Sequence, residues 1–181
     1  MPRILPLDLT TAEPDVRATL DAVRASIGMV PNLFATFARS PAVLKGYLAL
    51  SEALNNGLLS VRQREIAALA VAQANECHYC LSAHTAMGKG AGLSPESILA
   101  ARHGTGQDAA DKAVAGLASR LLETRGHITD ADLAAAREGG LSDGQIVEIV
   151  GAAAINVFTN FMNNLAQTEI DFPKVEIALA A

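Results

Sequence analysis

Only two cysteines occur in the 181 residues, and both fall within Cys77-His78-Tyr79-Cys80-Leu81-Ser82-Ala83-His84. Two thiols separated by two residues can close a disulfide or share a metal, and a histidine four positions on can accept a thiol proton. On a helix, Cys77, Cys80 and His84 lie at steps of three and four, hence on one face. A helix starting at the cysteines adds partial positive charge and free N–H groups, which favour a thiolate over a thiol. The thiolate is the form that attacks a peroxide. A second cysteine one turn away can then condense with the sulfenic acid, protecting it from over-oxidation.

Glu65 lies twelve residues before Cys77, in an otherwise apolar stretch. Antiparallel packing of the two helices would bring it to His84, where a carboxylate orients the imidazole and raises its basicity. His84 could then take the thiol proton and Glu65 pass it on. His78 and Tyr79 are secondary candidates, as well suited to packing or surface as to chemistry. The bland reading of the cysteines is two small buried hydrophobes. A sharper competitor is a metal held by Cys77, Cys80, His84 and Glu65. The redox reading is preferred, since no other position carries cysteine and so apolar a helical chain needs no structural metal; no metal and no organic cofactor are expected.

The elements that must position these residues are helices. Apolar residues recur at the helical period almost throughout, and no run alternates as a strand would. The fold class is all-α: a single-domain bundle over 1–181 with about seven to nine helices. The first helix follows Pro14, carries Val16, Leu20, Val23 and Ile27 on one face, and stops at Gly28. Val30-Pro31-Asn32-Leu33-Phe34 leads into a short apolar helix ending near Ser40-Pro41, and Pro41 opens a helix through Leu54. Gly57-Leu58-Leu59-Ser60, Gly92-Leu93-Ser94 and Gly140-Leu141-Ser142 each put a serine at an N-cap position. Ser60 with Gln63, and Ser142 with Gln145, have capping-box spacing, so an internal helix-pair repeat is one reading and shared punctuation the other. From Ser60 a helix runs to about Ala74, and a break at Asn75-Glu76 lets the next begin with the cysteines. Further helices cover Asp108 to Arg125 and Asp130 to Arg137. The tail, 173–181, is apolar and suited to packing on a neighbour.

Half the residues are hydrophobic, 4% are aromatic and none is Trp, so the core must be built from small aliphatic side chains at close range. A net charge of −5 without a basic run argues against nucleic-acid binding. The N-terminus lacks the apolar segment and cleavage site of a signal peptide, which makes the reducing cytoplasm the expected compartment. Ile149 to Thr168 is uncharged and long enough to span a bilayer. Asn156, Asn160, Asn163, Asn164 and Gln167 recur along one face of it, however, and lipid would penalise unpaired amides. That stripe reads first as inter-subunit or helix packing, with lining a site as the alternative. Met29, Met87 and Met162 read as core filler, and His103 and His127 as helix-end residues without chemistry.

Glu65, then Cys77-x-x-Cys80-x-x-x-His84, in an alanine-rich helical chain of this length, resembles the carboxymuconolactone decarboxylase superfamily, in its alkylhydroperoxidase D-like, peroxidase-related branch. The flanks that carry the resemblance are Val30-Pro31-Asn32-Leu33-Phe34, Ala70-Val71-Ala72-Gln73-Ala74-Asn75, Ala83-His84-Thr85 and Phe158-Thr159-Asn160-Phe161-Met162-Asn163. Together they cover nearly the whole chain, with the core motif in 57–105.

The resemblance implies a helical bundle assembled as a trimer or hexamer that reduces a small hydroperoxide. It implies that Cys80 attacks and Cys77 resolves, with Glu65 and His84 in the proton relay. The reductant it implies is a dithiol of lipoyl or thioredoxin-like type, and no membrane is involved. The chain departs from the pattern at Tyr79, which stands where the alkylhydroperoxidase D motif has a histidine. His78 is one residue earlier, about 100° around a helix. Two further readings follow from the scaffold: a decarboxylase or lactone-processing enzyme, and a non-catalytic redox-responsive oligomer.

Overall fold

A computed structural model describes residues 1–179. Among them are nine α-helices, one short 3-10 turn and no strand. The helices are α1 (Pro14–Ile27), α2 (Asn32–Phe37), α3 (Pro41–Asn55), α4 (Val61–Ala74), α5 (His78–Gly90), α6 (Pro95–Arg102), α7 (Ala109–Glu123), α8 (Asp130–Glu138) and α9 (Asp143–Ala166). Their ends lie within a residue or two of those expected from caps and breakers. Ser60 and Ser142 each close a capping box with Gln63 and Gln145, and Thr129 closes another with Asp132.

The bundle is organised around α4, which packs against α5, α6, α7 and α9. Ile66 to Ala72 are buried without interruption, so α4 has no solvent stripe, as a helix enclosed by others requires. Alanines at 67, 68, 70 and 72 let the neighbouring helices approach closely. Arg62, at the start of α4, forms an ion pair with the buried Asp111 of α7. The Glu148 carboxylate of α9 accepts the Leu58 and Leu59 N–H groups just ahead of α4. These contacts fix where α4 begins.

The similar starts of α4 and α9 do not lead into similar structures. Helix α4 ends after 14 residues and gives way to α5, whereas α9 runs 24 residues unbroken. What they share is the cap. Helix α9 is long and apolar enough to cross a membrane by length and composition. Its Asn156, Asn160 and Asn163 are nevertheless buried inside the bundle, as in a core helix.

The described part of the tail makes contacts with its own chain. Ile177 O accepts from Gln73 and Arg102, Val175 N–H donates to Ser82 Oγ, and, just ahead of the tail, Asp171 accepts from Asn32 N–H and Tyr79 OH. The last two residues of the expected tail segment lie outside the described residues.

Candidate active site

The break between α4 and α5 fixes the cysteines. Glu76 adopts a left-handed conformation with φ +50°. Cys77 N–H reaches back to Ala72 O and Glu76 N–H to Gln73 O, the paired bonds of a Schellman ending. Cys77 then caps α5, its sulfur accepting the Cys80 backbone N–H at 3.4 Å. One residue thus ends one helix and opens the next, and α5 proper starts at His78. The side chain of Asn75 donates to Asn160 Oδ1, and Asn75 O accepts from Asn164, at 2.9 Å each, so α9 holds the break in place.

Both cysteines are free and buried. They differ in what they face. Cys80 lies on the wall of a cavity of about 400 Å³ and Cys77 does not. The cavity is mostly apolar, with Leu33, Phe34, Leu54, Ile155 and Phe172 in its lining. Glu65 and His84 line it too, and His84 Nδ1–H donates to Glu65 Oε2 at 2.9 Å. The structure therefore brings Cys80, Cys77, His84 and Glu65 to one place. With Nδ1 bonded to the carboxylate, Nε2 is the nitrogen left for proton work.

Asn163, on α9, donates from Nδ2 to Cys80 Sγ at 3.2 Å in a buried setting. Asn160 Nδ2, buried on the same helix, has no hydrogen-bond partner among the described residues. Thr159 Oγ1 lies 3.9 Å from the sulfur and gives its own hydrogen to Asn156 O, so it can only accept from a Cys80 thiol. These contacts make the two sulfurs unequal. A hydrogen bond from the Cys77 side chain to the Cys80 sulfur lowers the Cys80 thiol to about 6; burial opposes this, and the His84 charge and the Asn163 amide support it. Cys77 is pushed well above the ordinary thiol range, first by donating that hydrogen bond and then by burial. For His84, burial works against the charge, yet the Glu65 carboxylate prevails and holds the imidazole above its ordinary value.

The secondary candidates are placed elsewhere. Tyr79 OH donates to Asp171 Oδ2 at 2.6 Å and meets Leu33 N–H at 3.4 Å, while its ring packs edge-on against Phe172. It supports the cavity wall through the tail. His78 is exposed, its Nδ1 3.5 Å from Val175 O, and borders a separate polar pocket. The step of about 100° between adjacent helix positions is what keeps it from the sulfurs.

Two groups read first as packing line the site. Within the amide stripe of α9, Asn163 faces Cys80 and Asn156 the cavity, because that face of α9 packs against the α4–α5 break. Met29 and Met87 are partly exposed and lie on the cavity wall. The run of amides at steps of three and four was the available signal. Among the described residues no cluster of three or more His, Cys, Asp or Glu side chains is arranged to hold a metal.

An all-helical bundle with a buried dithiol beside a Glu–His pair and an apolar cavity defines a class of thiol-bearing helical proteins. The model of the carboxymuconolactone decarboxylase family matches residues 41–124. Likeness to solved structures extends over nearly the whole chain. An alkylhydroperoxidase AhpD core protein from Ralstonia eutropha JMP134, described as an uncharacterized peroxidase-related protein, is 25% identical with a TM-score of 0.85, covering 94% of this chain and 92% of that one. A peroxidase-related protein from Silicibacter sp. TM1040 is 23% identical with a TM-score of 0.78, covering 92% of each chain. The debrominase Bmp8, in complex with 2,3,4-tribromopyrrole, shares the fold at 18% identity and a TM-score of 0.76, covering 93% of this chain and 91% of that one. No match is found among curated proteins. Residues 41–124 thus match the carboxymuconolactone decarboxylase family, and the chain as a whole is similar in fold to alkylhydroperoxidase D-like, peroxidase-related proteins.

Proposed function

We propose that the chain is a thiol-dependent hydroperoxide reductase. The observation that carries this reading is that Cys80 is the one thiol on the cavity wall among the described residues, with Cys77 behind it and the Glu65–His84 pair on the same wall. The Cys80 thiolate attacks the terminal peroxide oxygen and the O–O bond breaks. The departing alkoxide takes a proton from the His84 side, leaving an alcohol and a Cys80 sulfenic acid. Cys77 attacks that sulfur, water leaves and a disulfide forms. A dithiol then returns both cysteines to thiols by two exchange steps and is itself oxidised to a disulfide. The net change is ROOH + R′(SH)₂ → ROH + H₂O + R′S₂.

The low Cys80 and high Cys77 values suit this division of labour, since one sulfur must be charged at rest and the other must keep its proton until the second step. The reductant fits a lipoyl or thioredoxin-like dithiol, and the reducing cytoplasm is where such donors are regenerated. Assembly with further copies of the chain belongs to the same reading. Val147, Val150, Phe158, Phe161 and Leu165 form an exposed apolar stripe on α9, larger than isolated exposed residues explain.

The test is consumption of cumene hydroperoxide supported by dihydrolipoamide, with Cys80→Ser alongside. Equal turnover by the two proteins sinks the reading. The debrominase relative supplies a second electrophile to try, a brominated pyrrole; thiol-dependent bromide release without peroxide turnover would replace peroxide as the substrate. Activity on a carboxylated lactone that survives loss of both cysteines would instead favour ring decarboxylation.

A further inference from the structure

We propose that the cavity is built for a ligand with an apolar body and one carboxylate, and that Arg64 anchors the carboxylate. As a statement about the enzyme's substrate, an acid-bearing organic hydroperoxide, this rests on the proposed reductase activity. As a statement about binding it stands on the cavity alone.

The ionic groups of the cavity wall are accounted for with one exception. Glu65 and His84 bond each other, and Cys80 is held by Asn163. Arg64, in the first turn of α4 and half-buried, lines the same cavity. It forms no ion pair among the described residues, and its one hydrogen bond runs from Nη1 to Leu59 O. A guanidinium carries five N–H donors in a planar fork that matches a carboxylate. Most of that fork is unused.

A cation set into a largely apolar wall is costly without a partner, and other arginines that bridge elements of this fold have found one. Arg62 pairs with Asp111, and Arg102 is spent on Gln73, Glu176 O and Ile177 O. Ser51 and Asn55, from the end of α3, line the cavity with Arg64 and add neutral polar groups suited to a carboxylate's remaining lone pairs. The rest of the lining is chiefly aliphatic and aromatic, including Phe34, Leu54 and Ile155. A volume of about 400 Å³ lies at the small end of ligand pockets. One short acyl chain or ring fits such a space, and a diacyl lipid does not. The ligand that completes the site is therefore a small amphiphilic monoacid.

The experiment is calorimetric titration of the reduced full-length protein with octanoate and, separately, 1-octanol. Wild type is expected to bind octanoate at least about tenfold more tightly than octanol, the scale of one hydrogen-bonded charge. Arg64→Gln should remove that preference while leaving octanol affinity unchanged, and Arg64→Lys should restore part of it. A role for Arg64 in structure alone would weaken both ligands together or lower the melting temperature without changing their ratio. Equal affinity for the two ligands in wild type overturns the proposal, as does an unchanged ratio in Arg64→Gln or no binding of either. The same titration on Cys80→Ser separates the two readings: a retained octanoate preference with no peroxide turnover by wild type would sink the reductase and keep the anion site.

Discussion

The Cys80 sulfur has two sides, and they are built from different chemistry. On the open side, α4 and α5 supply Glu65 and His84, ionisable groups on the wall of a cavity that a substrate can enter. On the closed side, α9 supplies Asn163 and Asn160, neutral groups buried inside the bundle. Ionisable groups can exchange protons with a reactant. Amides can only offer hydrogen bonds fixed in place. The open side is therefore suited to moving the proton that the leaving alkoxide needs, and the closed side to holding the charge the sulfur carries before it reacts. Removing a group from each side should leave a different signature.

The largest effect is expected at the sulfur both sides serve. Cys80→Ser should lower dithiol-supported peroxide turnover by at least about a thousandfold. Cys77→Ser should stop the cycle one step later, with one equivalent of peroxide consumed and a Cys80 sulfenic acid trapped by dimedone and seen by mass spectrometry. Trapping at residue 77 in Cys80→Ser, with turnover retained, would reverse the assignment of the two sulfurs.

On the open side, Glu65→Gln should cut turnover by about a hundredfold or more, the usual worth of a positioned proton donor. It should also change the pH dependence. With the carboxylate present, the His84 value is raised, so the stability His84 contributes is complete below its ordinary value and is lost as pH rises through the folded value. In Glu65→Gln burial is opposed only by the weaker effects of Cys80 and Asn156, the imidazole loses its proton at lower pH, and that contribution shrinks. Thermal melts from pH 5 to pH 8 check this: the variant's loss of stability should be greatest at the acid end.

On the closed side, Asn163→Leu should act on acidity without touching proton delivery. Cys80 titrates at about 6 against an ordinary 9.0. Its lowered value adds stability that is present above pH 9 and lost as pH falls through about 6. Losing one buried donor to a charged sulfur moves the midpoint toward the ordinary value. Alkylation of Cys80 by iodoacetamide should slow about five- to tenfold at pH 6 and be unchanged at pH 9. A rate loss that persists at pH 9 would mean the amide serves access or packing instead.

The two sides also differ in how far they were legible in the sequence. The open side lies within twenty residues of chain, where helical spacing and a capped start place Glu65, Cys77, Cys80 and His84 together. The closed side comes from a helix some eighty residues downstream. Periodicity shows that Asn156, Asn160 and Asn163 share a face, but not which element that face meets; pairing with Asn75 at the α4–α5 break is a tertiary fact. Met29 and Met87 read as core because hydropathy does not distinguish a cavity wall from a filled interior. Arg64 carries no signal in the sequence, because a charge in the first turn of a helix is ordinary until its neighbours are known.

Tyr79 tests the boundary between the two sides with the smallest expected effect. It follows His78 in the first turn of α5 and borders the cavity, so spacing alone makes it a candidate for the relay. Its hydroxyl, however, is committed to Asp171, whose same oxygen also takes Asn32 N–H at 2.8 Å, and burial is the first cause raising its value. A phenol that holds its proton this firmly and spends it on a carboxylate is poorly placed to deliver one to an alkoxide. Tyr79→Phe keeps the ring against Phe172 and removes only that bond. The expected cost is about 1–2 kcal/mol of stability, from an Asp171 left with fewer donors, read as a lowered denaturant midpoint, with turnover within about threefold of wild type. Turnover that collapsed while the midpoint held would put Tyr79 in the relay and extend the open side of Cys80 as far as the tail.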